Sequence, residues 1–146
     1  MRKISLSLIA VSVIILAFNA CSKSGPENND NSAITVENLA GTYGLQALMW
    51  NYLGQDINVY DSLDGCEKDN LTRLNTNLTL DFIDAGTVCV PPEDDNGTWE
   101  LRGDSLFVVE SGGSSASKIE SFNGTTLVLS GEPYPGVRAT TTLAKQ

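Results

Sequence analysis

The residues with the strongest claim to nucleophilic or soft-metal chemistry in this 146-residue chain are its three cysteines. One lies in a polar, charged run, Asp61-Ser62-Leu63-Asp64-Gly65-Cys66-Glu67-Lys68-Asp69-Asn70. A cysteine so placed is a nucleophile, a metal ligand or half of a disulfide. The chain has no histidine, which removes the commonest zinc ligand and the commonest general base. Cys66 and Cys89 form no Cys-x-x-Cys pair, and no third ligand accompanies them. A thiol nucleophile needs a base partner, and none is evident. The acidic stretches 61–69 and 91–97 offer oxygen ligands but lack the twelve-residue order of an EF-hand loop and its final bidentate glutamate. No catalytic residue, metal site or cofactor is expected, and the protein is not expected to be an enzyme.

The N-terminus bears on the cysteine count. Met1-Arg2-Lys3 is basic, and Ile4 to Phe18 is an uncharged apolar run. At about 15 residues it is short of the roughly 20 that a spanning helix needs. With the small Ala20 at its exit, residues 1–20 read as a secretory signal. Phe18-Asn19-Ala20-Cys21 resembles the bacterial lipobox, in the looser form of Bacteroidetes lipoproteins, where cleavage precedes a cysteine that is then acylated. Cys21 is thus the expected lipidation site, and the chain is expected in the cell envelope, anchored to the outer membrane by lipid. An exported chain with two cysteines remaining most simply bonds Cys66 to Cys89. Closing that loop of about 24 residues is worth about 3 kcal/mol on the chain-entropy model. The net charge of −9 becomes more negative still when Arg2 and Lys3 leave. Such a chain is repelled by nucleic acid and by anionic head groups, so no nucleic-acid partner is expected.

Ser22 to Ser32 carries no apolar residue but Pro26. It cannot bury a core, so residues 21–34 read as the lipidated cysteine and a disordered tether. Residues 35–146 form one domain. Val36-Glu37-Asn38-Leu39 suits one helical turn or a strand end; beyond it the apolar period is two. Tyr43, Leu45, Ala47 and Met49 share one face of their segment. Leu78, Leu80 and Phe82 share another, as do Trp99 and Leu101, and Val137, Ala139, Thr141 and Leu143. Half-buried antiparallel strands alternate this way. Gly103-Asp104 and Asn123-Gly124 are tight hairpin turns; 111–115 and 131–136 read as loops. About eight strands follow: 42–49, 56–60, 71–75, 78–83, 98–102, 105–110, 118–122 with 125–130, and 137–144. Linked mostly to their neighbours, they predict an all-β, antiparallel up-and-down barrel, whose closure removes exposed strand edges.

Several segments in order now resemble one family. Leu39-Ala40-Gly41-Thr42-Tyr43-Gly44-Leu45 resembles the L-x-G-T-W-x-L opening of the lipocalin-like lipoproteins of Bacteroidetes. CEKDN (66–70), FIDAGTVC (82–89), GTWELRGDSLFV (97–108), IESFNGTTLVLS (119–130) and ATTTLAK (139–145) resemble its later segments. The resemblance spans essentially the whole domain. It implies an eight-stranded calycin-type barrel, with the two cysteines bonded. Tyr43 replaces the family's usual Trp. In true lipocalins that Trp closes the barrel floor, often under an Arg from the last strand, a place for which Arg138 is the candidate.

The interior follows from these readings. Tyr43, Leu45, Met49, Leu80, Phe82, Trp99 and Leu101, with Val108, Leu127, Leu129 and Leu143, are inward candidates, serving as packed core or as the lining of a pocket for an apolar ligand. Gly44, Gln46, Arg138 and Thr140 are the polar candidates if the facing is reversed. Asp61-Ser62-Leu63 and Asp104-Ser105-Leu106 resemble the Asp-Ser-aliphatic acceptor for O-glycosylation in exported Bacteroidetes proteins, with Ser62 the freer site. The leading functional expectation is a non-catalytic binding protein for a small hydrophobic molecule. The alternative is a protein-binding module, an inhibitor or accessory subunit of an envelope complex, with a packed, ligand-free barrel.

Overall fold

The computed structural model describes residues 32–146. The signal segment, Cys21 and the tether up to residue 31 lie outside the described residues. Thr35 caps a one-turn helix α1 (Val36–Leu39), its side chain accepting from the Asn38 N–H. Nine antiparallel strands follow: β1 (Gly41–Tyr52), β2 (Gln55–Asn58), β3 (Leu71–Leu74), β4 (Thr79–Ile83), β5 (Asp95–Arg102), β6 (Ser105–Glu110), β7 (Gly113–Phe122), β8 (Thr126–Tyr134) and β9 (Val137–Lys145). A short helix α2 (Gly65–Lys68) precedes β3. β9 pairs back onto β1, from Tyr43 opposite Lys145 to Tyr52 opposite Val137. That ladder closes β1 and β3–β9 into an eight-stranded barrel. β2 stands outside it as a hairpin partner of the far half of β1, while β3 takes the near half.

The strand count exceeds the sequence expectation by one because 118–122 and 125–130, counted there as a pair, are full separate strands, β7 and β8, turning at Asn123-Gly124. There the Asn123 side chain accepts from the Thr125 and Thr126 N–H groups, and Gly124 supplies the positive φ of +91°. The expected loops at 111–115 and 131–136 are mostly strand. Ser114 and Ser115 pair with Val109 and Val108, and β8 runs on to Tyr134. Serine and glycine are poor strand formers alone, but a neighbouring ladder overrides that preference. Gly97 is required for a different reason: a Cβ there would meet the Val109 carbonyl oxygen of β6.

Two bulges reset the alternation. In β1, Leu45 faces Leu143 but Ala47 faces Thr142, so Gln46 is the extra residue. Up to Leu45 the odd-numbered residues point inward; beyond Gln46 the inward set becomes Leu48 and Trp50. Met49, expected inside, lies opposite Thr140 on the outer face. In β7 the bulge falls at Glu120, which lets both Ile119 and Phe122 be buried.

One end of the barrel is a packed floor. Leu39 and Tyr43 are fully buried there, and Leu74, Trp99, Phe122 and Leu127 belong to the same core. The Tyr43 hydroxyl donates to the Leu39 carbonyl at 2.6 Å, and the Trp99 indole N–H donates to the Asn75 carbonyl at 2.9 Å. Lys145 Nζ donates to the Asn38 carbonyl at 2.8 Å and lies 5.7 Å from the Tyr43 ring and 5.9 Å from the Phe122 ring. The last-strand cation over the floor aromatic is therefore Lys145, not Arg138. Burial pushes the Tyr43 hydroxyl from 10.0 to about 12 and lowers the Lys145 ammonium.

Tyr43→Phe keeps the ring and leaves the Leu39 carbonyl without its donor, and is expected to cost about 1–2 kcal/mol in urea unfolding. Because the Tyr43 hydroxyl holds its proton more tightly in the folded chain, its stability contribution is present below pH 10 and is lost as pH rises toward 12. Lys145 works in the opposite sense, gaining stability as its charge is removed. The urea midpoint of the wild type should fall more steeply between pH 10 and 12 than that of Tyr43→Phe.

Candidate functional site

Past the floor the barrel is hollow. A cavity of ≈280 Å³ is walled by Tyr43, Leu45, Leu80, Phe82, Val108, Leu129 and Leu143, among other inward residues, with Glu67, Asn70, Thr72 and Thr141 as its polar members. A second hollow of ≈570 Å³ shares Leu129 and Thr141 with the first and continues past Leu48, Trp50, Ser115, Ser117, Gly131 and Ala139. A third, of ≈330 Å³, shares Asn70, Thr72 and Phe82 and opens past Glu93, Asp95 and Glu110. The space exists because inward positions far from the floor on β7, β8 and β9 are small. Serine, glycine, alanine and threonine stand where leucine or phenylalanine would fill the barrel.

The residues over this space are held by the connection 59–70 and the β4–β5 loop, 84–94. Asp64 and Glu67 form a capping box on α2, the Asp64 N–H donating to Glu67 Oε2 at 2.6 Å. Cys66 and Cys89 are bonded, with S–S 2.04 Å, tying α2 to the β4–β5 loop. Asp84, only 9% exposed, organises that loop by accepting from the Cys89 and Glu93 N–H groups. Asp69 accepts from the Thr87 N–H at 2.9 Å, and Asn70 Nδ2 donates to Glu93 Oε2 at 2.9 Å. A carboxylate only accepts, so this contact fixes which way the Asn70 amide points. Asn70 Oδ1 is then buried with no protein partner, as is Asp69 Oδ1. A buried acceptor left unpaired costs free energy that a donor would recover.

Of the expected ligand-site residues, Tyr43, Leu45, Leu80 and Phe82 line the cavity. Trp99 and Leu101 do not; Trp99 is in the packed core, 2% exposed, and Leu101 packs against it. Met49 is turned outward by the Gln46 bulge. Arg138, opposite Asn51, is on the outer wall 2.8 Å from Glu120. Hydrogen bonding from Ser130, then from Lys118, holds the Glu120 carboxyl down to about 2. Ser62 lies exposed in a 3-10 turn, Tyr60–Ser62, while Ser105 opens β6 and donates to Asp104. Among the described residues no group of three acid or cysteine side chains converges as metal ligands. The sequence reading missed Leu48 and Trp50, hidden by the bulge, and Thr72, Leu74 and Leu106, which the alternation of β3 and β6 could have supplied. Glu67 and Asn70 carry no local signal, since the disulfide and the loop contacts place them.

A family model described as a lipocalin-like domain matches residues 39–129, from the end of α1 into β8 and including both bonded cysteines. Among solved structures, the crystal structure of a lipocalin-like protein from Bacteroides uniformis is similar, with 16% identity and a TM-score of 0.49. The match covers 74% of this chain and 98% of that one. No curated protein matches.

Cys66→Ser with Cys89→Ser should lower stability in urea unfolding by about 3 kcal/mol, the loop-closure entropy of the 23-residue separation.

Proposed function

The chain belongs to the lipocalin-like domain family, and from that premise we propose that it is an exported, lipid-anchored, non-catalytic protein that binds a small hydrophobic molecule inside its barrel. The observation that carries this reading is the cavity of ≈280 Å³ with aliphatic and aromatic walls beyond a packed floor. Binding pockets are mostly apolar concavities with a few placed polar groups, and this one has that composition. An engineered apolar cavity of about 150 Å³ holds benzene. The space here is about twice that, which suits a bicyclic body or a chain of about ten carbons. An open interior favours this reading over a partner-binding module, for which a packed barrel suffices. The signal segment 1–20, the lipobox-like Cys21 and the polar tether support an envelope location on the outer membrane, with the barrel held clear of the lipid.

Native mass spectrometry of the delipidated protein purified from a bacterial extract should show bound mass in the small-molecule range. Thr141→Phe, which adds a ring to the wall shared by two of the hollows, should weaken ligand binding at least tenfold while leaving the far-UV circular dichroism of the barrel unchanged. An apo mass from every preparation would remove the ligand reading. For the anchor, Cys21→Ser should move the protein from the membrane to the soluble fraction.

A further inference from the structure

The barrel mouth is chemically one-sided, and we infer that it selects ligands with a hydrogen-bond-donating head, a primary amine or a hydroxyl, held at Glu67 and Asn70 with the apolar body toward the floor, and that it rejects carboxylates. The inference rests on the ligand-binding reading and adds the class of ligand to it.

Three observations converge on this. First, the cavity and the hollow that opens from it are lined by the carboxylates Glu67, Glu93, Asp95 and Glu110 and by no lysine or arginine. None of these four is in an ion pair among the described residues. The nearest cation in sequence, Lys68, is turned to the Asp61 carbonyl and lies over the Tyr60 ring. Arg73 is exposed and bonds Thr42. Second, the Asn70 amide gives one N–H to Glu93 and leaves Oδ1 buried without a partner, on a residue of the cavity wall. That oxygen is sealed beneath the cavity surface, so a ligand's donor reaches it when the Asn70 side chain turns toward the cavity it lines, and that turn recovers the cost of the unpaired acceptor. Third, Glu67 is the other polar group contributed from above. Its one protein contact, from the Asp64 N–H, leaves acceptor capacity on a carboxylate with about four lone-pair sites. Thr72 and Thr141 donate or accept equally well and do not discriminate. A primary ammonium has three donors and serves both acceptors while meeting opposite charge; a hydroxyl has one donor and serves Asn70 Oδ1 alone. A fatty-acid carboxylate would bring a like charge among acids and no donor. Placing an apolar tail in the barrel is available to all three, so the head group decides.

The experiment compares three probes with one body: decylamine, decanol and decanoate, titrated calorimetrically at pH 7. The protein is the exported chain carrying Cys21→Ser, so that no acyl chain competes. Decylamine and decanol should each bind at least tenfold more tightly than decanoate. Glu67→Gln, which keeps an acceptor for the capping box, should reduce the preference for decylamine over decanoate about tenfold and leave decanol within about twofold. Thr141→Phe should weaken decylamine and decanol alike, which adsorption of a cation to the acidic surface would not show. Decanoate binding as tightly as decylamine, or a preference unmoved by Glu67→Gln, would overturn the inference and leave the ligand-binding reading standing. Failure of all three probes to bind would overturn both.

Discussion

β1 is bonded along one edge to β9 and along the other to β3 and then β2, and the rest of the domain depends on that strand serving three partners at once. Its pairing with β9 removes the two free edges that an eight-stranded meander would otherwise expose. Closure turns the dry faces of the strands toward one another, so that a row of apolar side chains becomes a common interior. The twelve residues from Gly41 to Tyr52 cannot follow that curvature on a strict period of two. The bulge at Gln46 bends the strand and changes which residues face inward. Everything distal to it, including the places of Trp50 and Met49, follows from that one extra residue.

The two ends of the barrel are built on opposite principles. At the floor, Leu39, Tyr43, Trp99, Phe122 and Leu127 fill the space, and the polar atoms buried with them find partners in the Leu39, Asn75 and Asn38 carbonyls. This is a core in the ordinary sense, dense and satisfied. Toward the mouth, small residues on β7, β8 and β9 leave volume, and two buried acceptors, Asp69 Oδ1 and Asn70 Oδ1, go unpaired. Close packing is concentrated at the floor. The unfilled volume and the unpaired oxygens lie together at the mouth. The disulfide belongs to the mouth and not to the core: it holds α2, and with it Glu67, against the β4–β5 loop.

Much of the fold was legible because period-two alternation reports burial directly on strands with one wet face. β3, β4, β6 and β9 emerged within a residue or so of their observed bounds. The cavity was half legible. Tyr43, Leu45, Leu80 and Phe82 lie on regular stretches and line it as expected, whereas Met49 lies past a bulge that alternation cannot report. Trp99 was correctly inward, yet an inward face does not distinguish packed floor from open mouth. Arg138 has the strand and the charge for the floor, but the register of β9 on β1 sets Lys145, not Arg138, above Tyr43.

What the sequence determined by itself was the class of chain: an all-β domain carrying one cysteine pair, no histidine chemistry and a strong negative charge. Those properties are local or additive, and each is readable from residue type and spacing. What only the tertiary structure decided was the position of the cavity and the character of its mouth. Glu67, Asn70 and Glu93 come from two segments that meet only because a disulfide and a few loop hydrogen bonds cross from 64–70 to 84–94. An oxygen becomes an orphaned acceptor only when the fold buries it and turns its amide partner elsewhere. No pattern along the chain encodes that, because it is a property of two loops meeting and of neither loop alone.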